Sequence, residues 1–509
     1  MSVREPEKDA AAAAAEVDEK AEAEAEAKGS GSVWELLYCG RTSFNTKGRE
    51  HGTQGNLVSP TRLRPLVGVD IRFVASGCSW GMEQSCMEFR SILTWLQGME
   101  AFTAACHCAA LDGNGRCYTW GHNEKGQLGH GDTLLRALPT VVSELSKLKI
   151  IKASVGRNHT VVVTDDNKSF SFGHNGHGQL GLGLIEKEIE SSPLPCAVVG
   201  ATDSVCGADF TVWLSSVKDS SILTAGLNQY GQLGQDADIQ LTHYPKPRAI
   251  DASFKNTVVK VACGTNHTVA IDNKGFVYTW GFGGSGRLGH GAQNDEWKPR
   301  QLLFFEKHMV LRPNAIVSAG SASSACTSGG ELYTWGKSMD TDDYSIHPKS
   351  VPDLSGWNIR CMASGDMHHI VGTDDTCISW GIGLNGQLGY GPNGPKSSSN
   401  PKKVDSLQGM PIRCVGCGNG LSLIVVDKAK FGRRLDQLET YNGDTLTEVQ
   451  EQETEMASEE DHRGKAGGDL SIPELKPSRR GRGRPKKTES PASGAGSSGG
   501  GKRGKRGRP

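Results

Sequence analysis

Gly121-His-Asn-Glu-Lys-Gly-Gln-Leu-Gly-His-Gly131 decides the fold, because the chain repeats it. It returns as Gly173 to Gly183, where Asn175, Gly178, Gln179, Leu180 and Gly181 keep their places. It returns again as Gly226 to Gly234, as Gly281 to Gly291 with Arg287 in place of Gln, as Gly381 to Gly391, and in degraded form after Gly336. The residue before each leading glycine is Trp120, Phe172, Ala225, Trp280, Trp335 or Trp380, in steps of 52, 53, 55, 55 and 45. A further site, Cys39-Gly40 after Trp34-Glu-Leu-Leu-Tyr38, makes seven. Self-similarity at a period of tens of residues marks a solenoid or a propeller.

The repeat unit is built of strands. Phe276, Tyr278 and Trp280 alternate with Val277 and Thr279, the period-two pattern of a strand. Thr268-Val-Ala-Ile271 precedes it across the turn Asp272-Asn-Lys-Gly275, which makes a hairpin. Before that stands a glycine turn, Cys263-Gly-Thr-Asn-His267, repeated at Gly156, Gly207, Gly320, Gly365 and Gly418. Four short strands in about fifty residues suit a propeller blade. The ends of the array complement each other: Gly418 is followed by Leu421 to Val426 but by no Trp-Gly strand, and Leu36 to Gly40 has no glycine turn before it. Joined, they complete one blade and hide edges that would otherwise template aggregation. The expectation is an all-β, seven-bladed β-propeller over residues 33–430, six blades continuous and one composite.

One stretch breaks the pattern. From Gly77 to Gly121 the gap is 44 residues, against 16 to 19 elsewhere, so the reading at about 79–105 is an insertion that bulges from the first blade or a segment wrongly retained in the gene model. The flanks are charged in blocks. Residues 1–32 are an acidic Ala/Glu-rich segment, 431–475 an acidic linker with ten acids between Asp444 and Glu474, and 476–509 a basic tail with twelve Lys/Arg against Glu489. Such blocks read as disordered. The fourteen cysteines, with no apolar leader at the N-terminus, point to a reducing compartment.

The blade sentence G-x-N-x-x-G-Q-L-G-x-G and the turn G-x-x-H-T, as in Gly156-Arg-Asn-His-Thr160, resemble those of the regulator of chromosome condensation repeat proteins. The resemblance covers about Val33 to Asp427, and Asn123 to Asp132 and Trp280 to His290 look most like the second such protein of animals. It implies a propeller whose glycine turns crowd one face, where a small GTPase docks on the founding member. Residues just after each turn glycine would form that partner-binding face: Arg157, Asn158, Asp209, Asn266, Asp366 and His368. Asp209 matches a functional Asp of the founding exchange factor, and Gly365-Asp-Met-His-His369 resembles its turn with two histidines. The resemblance thus implies a non-enzymatic interaction propeller, a chromatin-associated scaffold or regulator of a Ran- or Rac-like GTPase, or alternatively a guanine-nucleotide exchange factor. A second branch, the plant ultraviolet-B photoreceptor, places Trp in turns of the form Gly-Trp-Arg-His-Thr; here Arg157 and Thr265 stand there instead. His159 and His267, ending their turns, read as buried hydrogen-bonding residues.

The tail carries the most specific short motif. Arg480-Gly-Arg-Gly-Arg-Pro-Lys-Lys487 resembles an AT-hook, and Lys505-Arg-Gly-Arg-Pro509 repeats its core. Glycine lets the backbone enter a narrow groove, proline keeps it extended, and guanidinium groups meet the negative potential of A·T minor grooves. The expected DNA contacts are Arg482, Gly483, Arg484, Pro485, Lys486, Arg506, Gly507, Arg508 and Pro509, with A·T-rich DNA as the ligand. A basic stretch of this kind also serves nuclear import, so the expected location is the nucleus, with the cytoplasm as a second. No catalytic residue, cofactor or metal is expected. Gly281-Phe-Gly-Gly-Ser-Gly286 fits a dinucleotide fingerprint but follows a blade strand with no helix behind it, and Cys414-Val-Gly-Cys417 lacks a second pair at zinc spacing.

Overall fold

A computed structural model describes residues 33–42, 55–77, 107–217, 221–235, 242–250, 254, 256–306, 310–312, 314–337 and 344–443. The acidic N-terminal segment, the insertion at 79–105 and the basic tail lie outside the described residues.

The strands form seven sheets, each with four antiparallel strands, and one with a fifth, short parallel strand at its rim. Blade one holds Ile71–Ser76, His107–Asp112, Cys117–Gly121 and Arg136–Val141; blade two, Ile150–Val155, His159–Thr164, Ser169–His174 and Ile189–Pro195. Blade three holds Ala201–Cys206, Phe210–Ser215, Ile222–Leu227 and His243–Ala249; blade four, Val258–Cys263, His267–Asp272, Val277–Gly281 and Glu296–Gln301. Blade five holds Val317–Ala319, Ser323–Ser328, Glu331–Gly336 and Ser345–Ser350; blade six, Ile359–Ser364, His368–Thr373, Cys377–Ile382 and Ser397–Lys403. Blade seven is the composite: Ile412–Cys417 and Leu421–Asp427 from the end of the array, then Trp34–Gly40 and Leu57–Leu63 from its start. Trp34–Gly40 pairs along its whole length with Leu421–Asp427, in register from Trp34↔Asp427 to Gly40↔Leu421. The first strand of each blade touches the first strand of the next, and Ile412–Cys417 touches Ile71–Ser76, so the ring closes.

The core is divided among the seams. Each of seven apolar clusters draws side chains from two neighbouring blades. The aromatic residues before the repeat glycines are its largest pieces: Trp120, Phe172, Trp280, Trp335 and Trp380 are all buried. Ala225 leaves that place nearly empty in blade three, and Trp213, fully buried in the same cluster, fills the volume. Removing one of these rings would cost about 3–5 kcal/mol in lost transfer energy and residual cavity.

The repeated sentence is a loop that holds itself and then grips its neighbour. Asn123, Asn175 and Asn228 each accept from the backbone N–H of the loop leucine, Leu128, Leu180 or Leu233, at 2.9, 3.2 and 3.1 Å. The Gln side chain accepts from the N–H two residues before it, Gln127 from Lys125 at 2.8 Å and Gln179 from His177 at 2.9 Å. Gly126 and Gly129 take φ of 70° and 75°, a conformation that favours glycine. The Gln carbonyl then crosses the seam: Thr160 of blade two donates to the Gln127 carbonyl of blade one at 2.8 Å, and Thr211 of blade three to Gln179 of blade two at 2.8 Å.

Residues 431–443, read from sequence as the start of an acidic linker, are part of the folded body. The helix α1, Lys428–Leu435, starts on the Asp427 side chain, which accepts from the N–H groups of Ala429 and Lys430. Thr440–Tyr441 then adds a short parallel strand to the rim of blade seven.

Candidate functional site

A four-strand meander sends its first and third connections out at one end. The glycine turns therefore share a face with the repeated loops, turns toward the axis and loops outside them. Six turns stand there among the described residues, each closed by a glycine N–H donating to the carbonyl three residues on: Gly156 to His159, Gly207 to Phe210, Gly264 to His267, Gly320 to Ser323, Gly365 to His368 and Gly418 to Leu421. In blade one the Gly77 N–H donates to the His107 carbonyl, and residues 78–106 between them in sequence lie outside the described residues.

The turns are crowded, and this is why they are glycine. A Cβ on Gly156 would collide with the His159 ring of its own turn and with the Gly207 carbonyl of the next. The same contact passes from Gly264 to Gly320, from Gly320 to Gly365, and from Gly418 back to Gly77.

Polar groups run from turn to turn in the same way. The Arg157 guanidinium of blade two meets the Asp209 carboxylate of blade three at 3.2 Å, and the Arg157 N–H donates to the Ala208 carbonyl at 3.0 Å. The Ala208 N–H donates to the Thr265 carbonyl of blade four at 3.1 Å, and the Thr265 hydroxyl to that of Ser321 in blade five at 3.1 Å. The Ser321 N–H donates to the Gly365 carbonyl of blade six at 3.1 Å. Asp366 bonds to the Ser321 side chain, and burial pushes its carboxyl up to about 6. Asn158 accepts from the Gln127 side chain at 3.2 Å, and the Asn266 carbonyl accepts from the Phe282 N–H at 2.8 Å.

The structure thus brings Arg157, Asp209 and Asp366 into one linked arc over blades two to six, with Asn158 and Asn266 half-buried beside it. His368 is placed differently. The third residue after each glycine turns back into the seam, so His368 is buried with Nε2 2.9 Å from the Ser422 hydroxyl. His369 is buried too, stacked on Trp380 with ring centres 5.0 Å apart. Neither adjacent histidine reaches the face, which corrects the expectation for His368. Asp209 is itself largely covered, with about 6% of its surface exposed. The sequence reading passed over Ser321 and Arg287 as members of these links. Arg287 carried a signal, since it replaces the repeat's Gln: its guanidinium donates to the Ser321 carbonyl at 2.8 Å and lies over Phe282 at 4.6 Å.

Comparison with known proteins bears on this geometry directly. The model of the regulator of chromosome condensation (RCC1) repeat matches residues 114–163, 219–271, 274–327 and 374–425. Protein RCC2 of Homo sapiens is 34% identical over 450 residues, spanning 81% of this chain and 80% of that one. The chain belongs to the regulator of chromosome condensation repeat family. The ultraviolet-B receptor UVR8 of Arabidopsis thaliana, another relative, is 27% identical over 62% of this chain and 72% of that one. Among solved structures, Prp20p of Saccharomyces cerevisiae superposes with a TM-score of 0.61 at 18% identity, covering 80% of this chain and 96% of that chain. The seven-bladed architecture of the family is therefore also that of this chain, as the motif reading expects.

Proposed function

We propose that this chain is a non-enzymatic interaction propeller that binds a small GTPase of the Ran or Rac kind, or another protein, on its glycine-turn face. Its basic tail holds it near A·T-rich DNA in the nucleus. The observation that carries the reading is the arc of linked turns from Arg157 and Asp209 to Asp366: a rigid face with charged groups fixed by their neighbours, which lowers the ordering cost of docking. Prp20p, with the same fold, was solved alongside its binding properties to Gsp1p and histones, which supports a protein partner here. The tail residues Arg482 to Lys486 and Arg506 to Pro509 carry the DNA half of the reading by their composition.

The exchange-factor reading rests on two carboxylates of that face, Asp209 and Asp366, which would have to leave Arg157 and Ser321 to compete for the metal and phosphates of a bound nucleotide.

The partner half is tested by titrating purified Ran- and Rac-type GTPases into the full chain and following both complex formation and nucleotide release. Binding lost in Arg157→Glu, with an unchanged melting curve, supports the face. Release accelerated by the wild type and abolished in Asp209→Asn supports exchange. Equal binding by wild type and Arg157→Glu moves the partner to another surface. The tail is tested on A·T-rich duplex across a salt series, comparing the full chain with Arg482, Arg484, Arg506 and Arg508 changed to Gln; unchanged affinity and A·T preference would remove the tail from the reading.

A further inference from the structure

The rim of the propeller differs from one side to the other. Every fourth strand carries a proline at one fixed place: Pro60, Pro139, Pro193, Pro247, Pro299, Pro348 and Pro401. Each stands just before the residue that pairs with the middle of the third strand, as Thr140 pairs with Thr119, Arg300 with Thr279 and Lys402 with Ser379. A proline there removes a donor from an edge that would otherwise recruit another strand.

What flanks the proline changes round the ring. On blades seven, one and two it is Ser59 and Thr61, Leu138 and Thr140, and Ser192 and Leu194. On blades three to six the chain reads Lys246-Pro-Arg248, Lys298-Pro-Arg300, His347-Pro-Lys349 and Asn400-Pro-Lys-Lys403. These four strands hold seven lysines and arginines; the other three hold Arg62 and Arg136. Arg62 is buried against Glu35, and Arg136 is paired with Asp132 at 2.9 Å. The carboxylate within the four basic strands is Glu296, which pairs with Arg300 at 2.5 Å. Six of the seven cations are exposed, and Lys403 is half-covered.

Edge protection does not account for the asymmetry. All seven fourth strands have the proline, and of the six not paired by a further strand four have the charge. The cations are also positioned. Arg248 lies over Tyr244 at 4.6 Å, Lys402 over Tyr390 at 5.0 Å and Lys403 over Trp357 at 4.7 Å. Trp297, 37% exposed, stands beside Lys298. Rings that hold a cationic side chain reduce the freedom it loses on contact. The charges lie on the convex wall of four successive blades and not in one groove, so a stiff polyanion laid against the wall meets the cations of neighbouring blades rather than all seven together. Duplex DNA is such a ligand, with phosphates at close, regular spacing.

We propose that the outer wall of blades three to six, through Lys246, Arg248, Lys298, Arg300, Lys349, Lys402 and Lys403, is a second and sequence-independent contact for the phosphate backbone of duplex DNA. It is separate from the basic tail and does not depend on it.

The test uses the full chain with Arg482, Arg484, Arg506 and Arg508 changed to Gln, so that the tail's share is removed. In that background Lys246, Lys298, Lys349 and Lys402 are together changed to Gln. A control of equal charge changes Lys147, Lys168, Lys187 and Lys274 to Gln, all exposed and off the four basic strands. Binding to a mixed-sequence duplex of about 30 base pairs is measured by fluorescence anisotropy between about 50 and 200 mM salt. The wall variant should lose about tenfold in affinity, and the slope of log affinity against log salt should fall by about 1–2, the share of the lysines one duplex meets at a time, while the control keeps most of both. Equal losses in wall variant and control would overturn the proposal by reducing the wall to net charge. So would no measurable binding by the tail-altered parent. A wall variant impaired on phosphatidylserine vesicles but not on DNA would assign the wall to a lipid surface instead. A failure of the tail reading shows separately, as unchanged A·T-rich binding in the tail variant.

Discussion

His159 and Thr211 belong to different blades, yet His159 Nε2 lies 3.0 Å from Thr211 Oγ1 in a fully buried seam. The Thr211 hydroxyl spends its proton on the Gln179 carbonyl, so the imidazole must be the donor in the first bond and carries its proton on Nε2. His107 and Thr160 repeat the arrangement at 2.8 Å, as do His267 and Ser324 at 2.8 Å and His368 and Ser422 at 2.9 Å. The histidine of the G-x-x-H-T turn is thus a bolt between blades. It ties the turn of one blade to the second strand of the next, and in three of the four pairs that strand's hydroxyl ties back to the first blade's loop.

The two halves of the bolt should not be equal. Thr211→Val leaves two buried groups unsatisfied, His159 Nε2–H and the Gln179 carbonyl, and should cost about 2–3 kcal/mol. His159→Phe leaves the Thr211–Gln179 bond in place, and Phe210 at the matching position of blade three is a buried precedent for the ring; about 1 kcal/mol is expected. Urea unfolding of both variants checks the order. A costlier His159→Phe would mean that the imidazole packs more than it bonds.

Acid should loosen these bolts before it reaches the carboxylates. Burial holds His107 down to about 3, His159 to about 4, His368 to about 3 and His369 to about 4, all below the ordinary value near 6.5. The unfolded chain therefore binds protons first as the pH falls through 6.5, and stability drops from there towards pH 4. Each histidine contributes up to about 1.4 kcal/mol per pH unit. Asp366, raised to about 6, and Asp295, which burial also pushes up, act oppositely and gain stability as the pH falls, but they are two groups against these four histidines. The urea midpoint should fall steadily from pH 7 to pH 5; a flat or rising midpoint would show that the imidazoles are charged or solvated in the folded state.

Much of this was legible because a propeller writes its geometry repeatedly. The glycine spacing announced the turns, the Trp-Gly step the third strands, and the unmatched ends at Gly40 and Gly418 the composite blade. The side chains of the face were less legible. Position after a glycine says that Asp209 and His368 lie near a turn, but whether a side chain points out or into the seam depends on the neighbouring blade, some fifty residues away in sequence. Hence His368 fell inside, and Ser321, with no charge and no motif, went unnoticed though it bridges blades four to six. The rim prolines could have been read. They recur between 12 and 21 residues after each Trp-Gly glycine, a spacing blurred by loops of unequal length.

The closure of the ring hangs on a buried carboxylate. Glu35, on the strand that completes blade seven, pairs with Arg62 through Oε1 and with Lys428 through Oε2, the latter at 2.7 Å. Arg62 reaches on to Asp436 at 3.1 Å, and the Lys428 N–H donates to the Val33 carbonyl at 2.8 Å. Segments from both ends of the propeller thus meet at one charge. Burying a carboxylate is costly unless it is paired, so removing one partner should cost more than removing the set. Lys428→Met should destabilise by about 2 kcal/mol, because Lys428 is a quarter exposed and water can partly replace it. Glu35→Leu should cost more, since it leaves Arg62 buried with Asp436, itself mostly exposed, as its remaining carboxylate partner. Glu35→Leu with Arg62→Met should recover part of that loss, because an apolar pair of similar volume carries no desolvation cost. Thermal melts of the three variants give the ordering. A double variant weaker than Glu35→Leu alone would show that Arg62 holds the closure through Asp436 and α1 rather than through the buried charge.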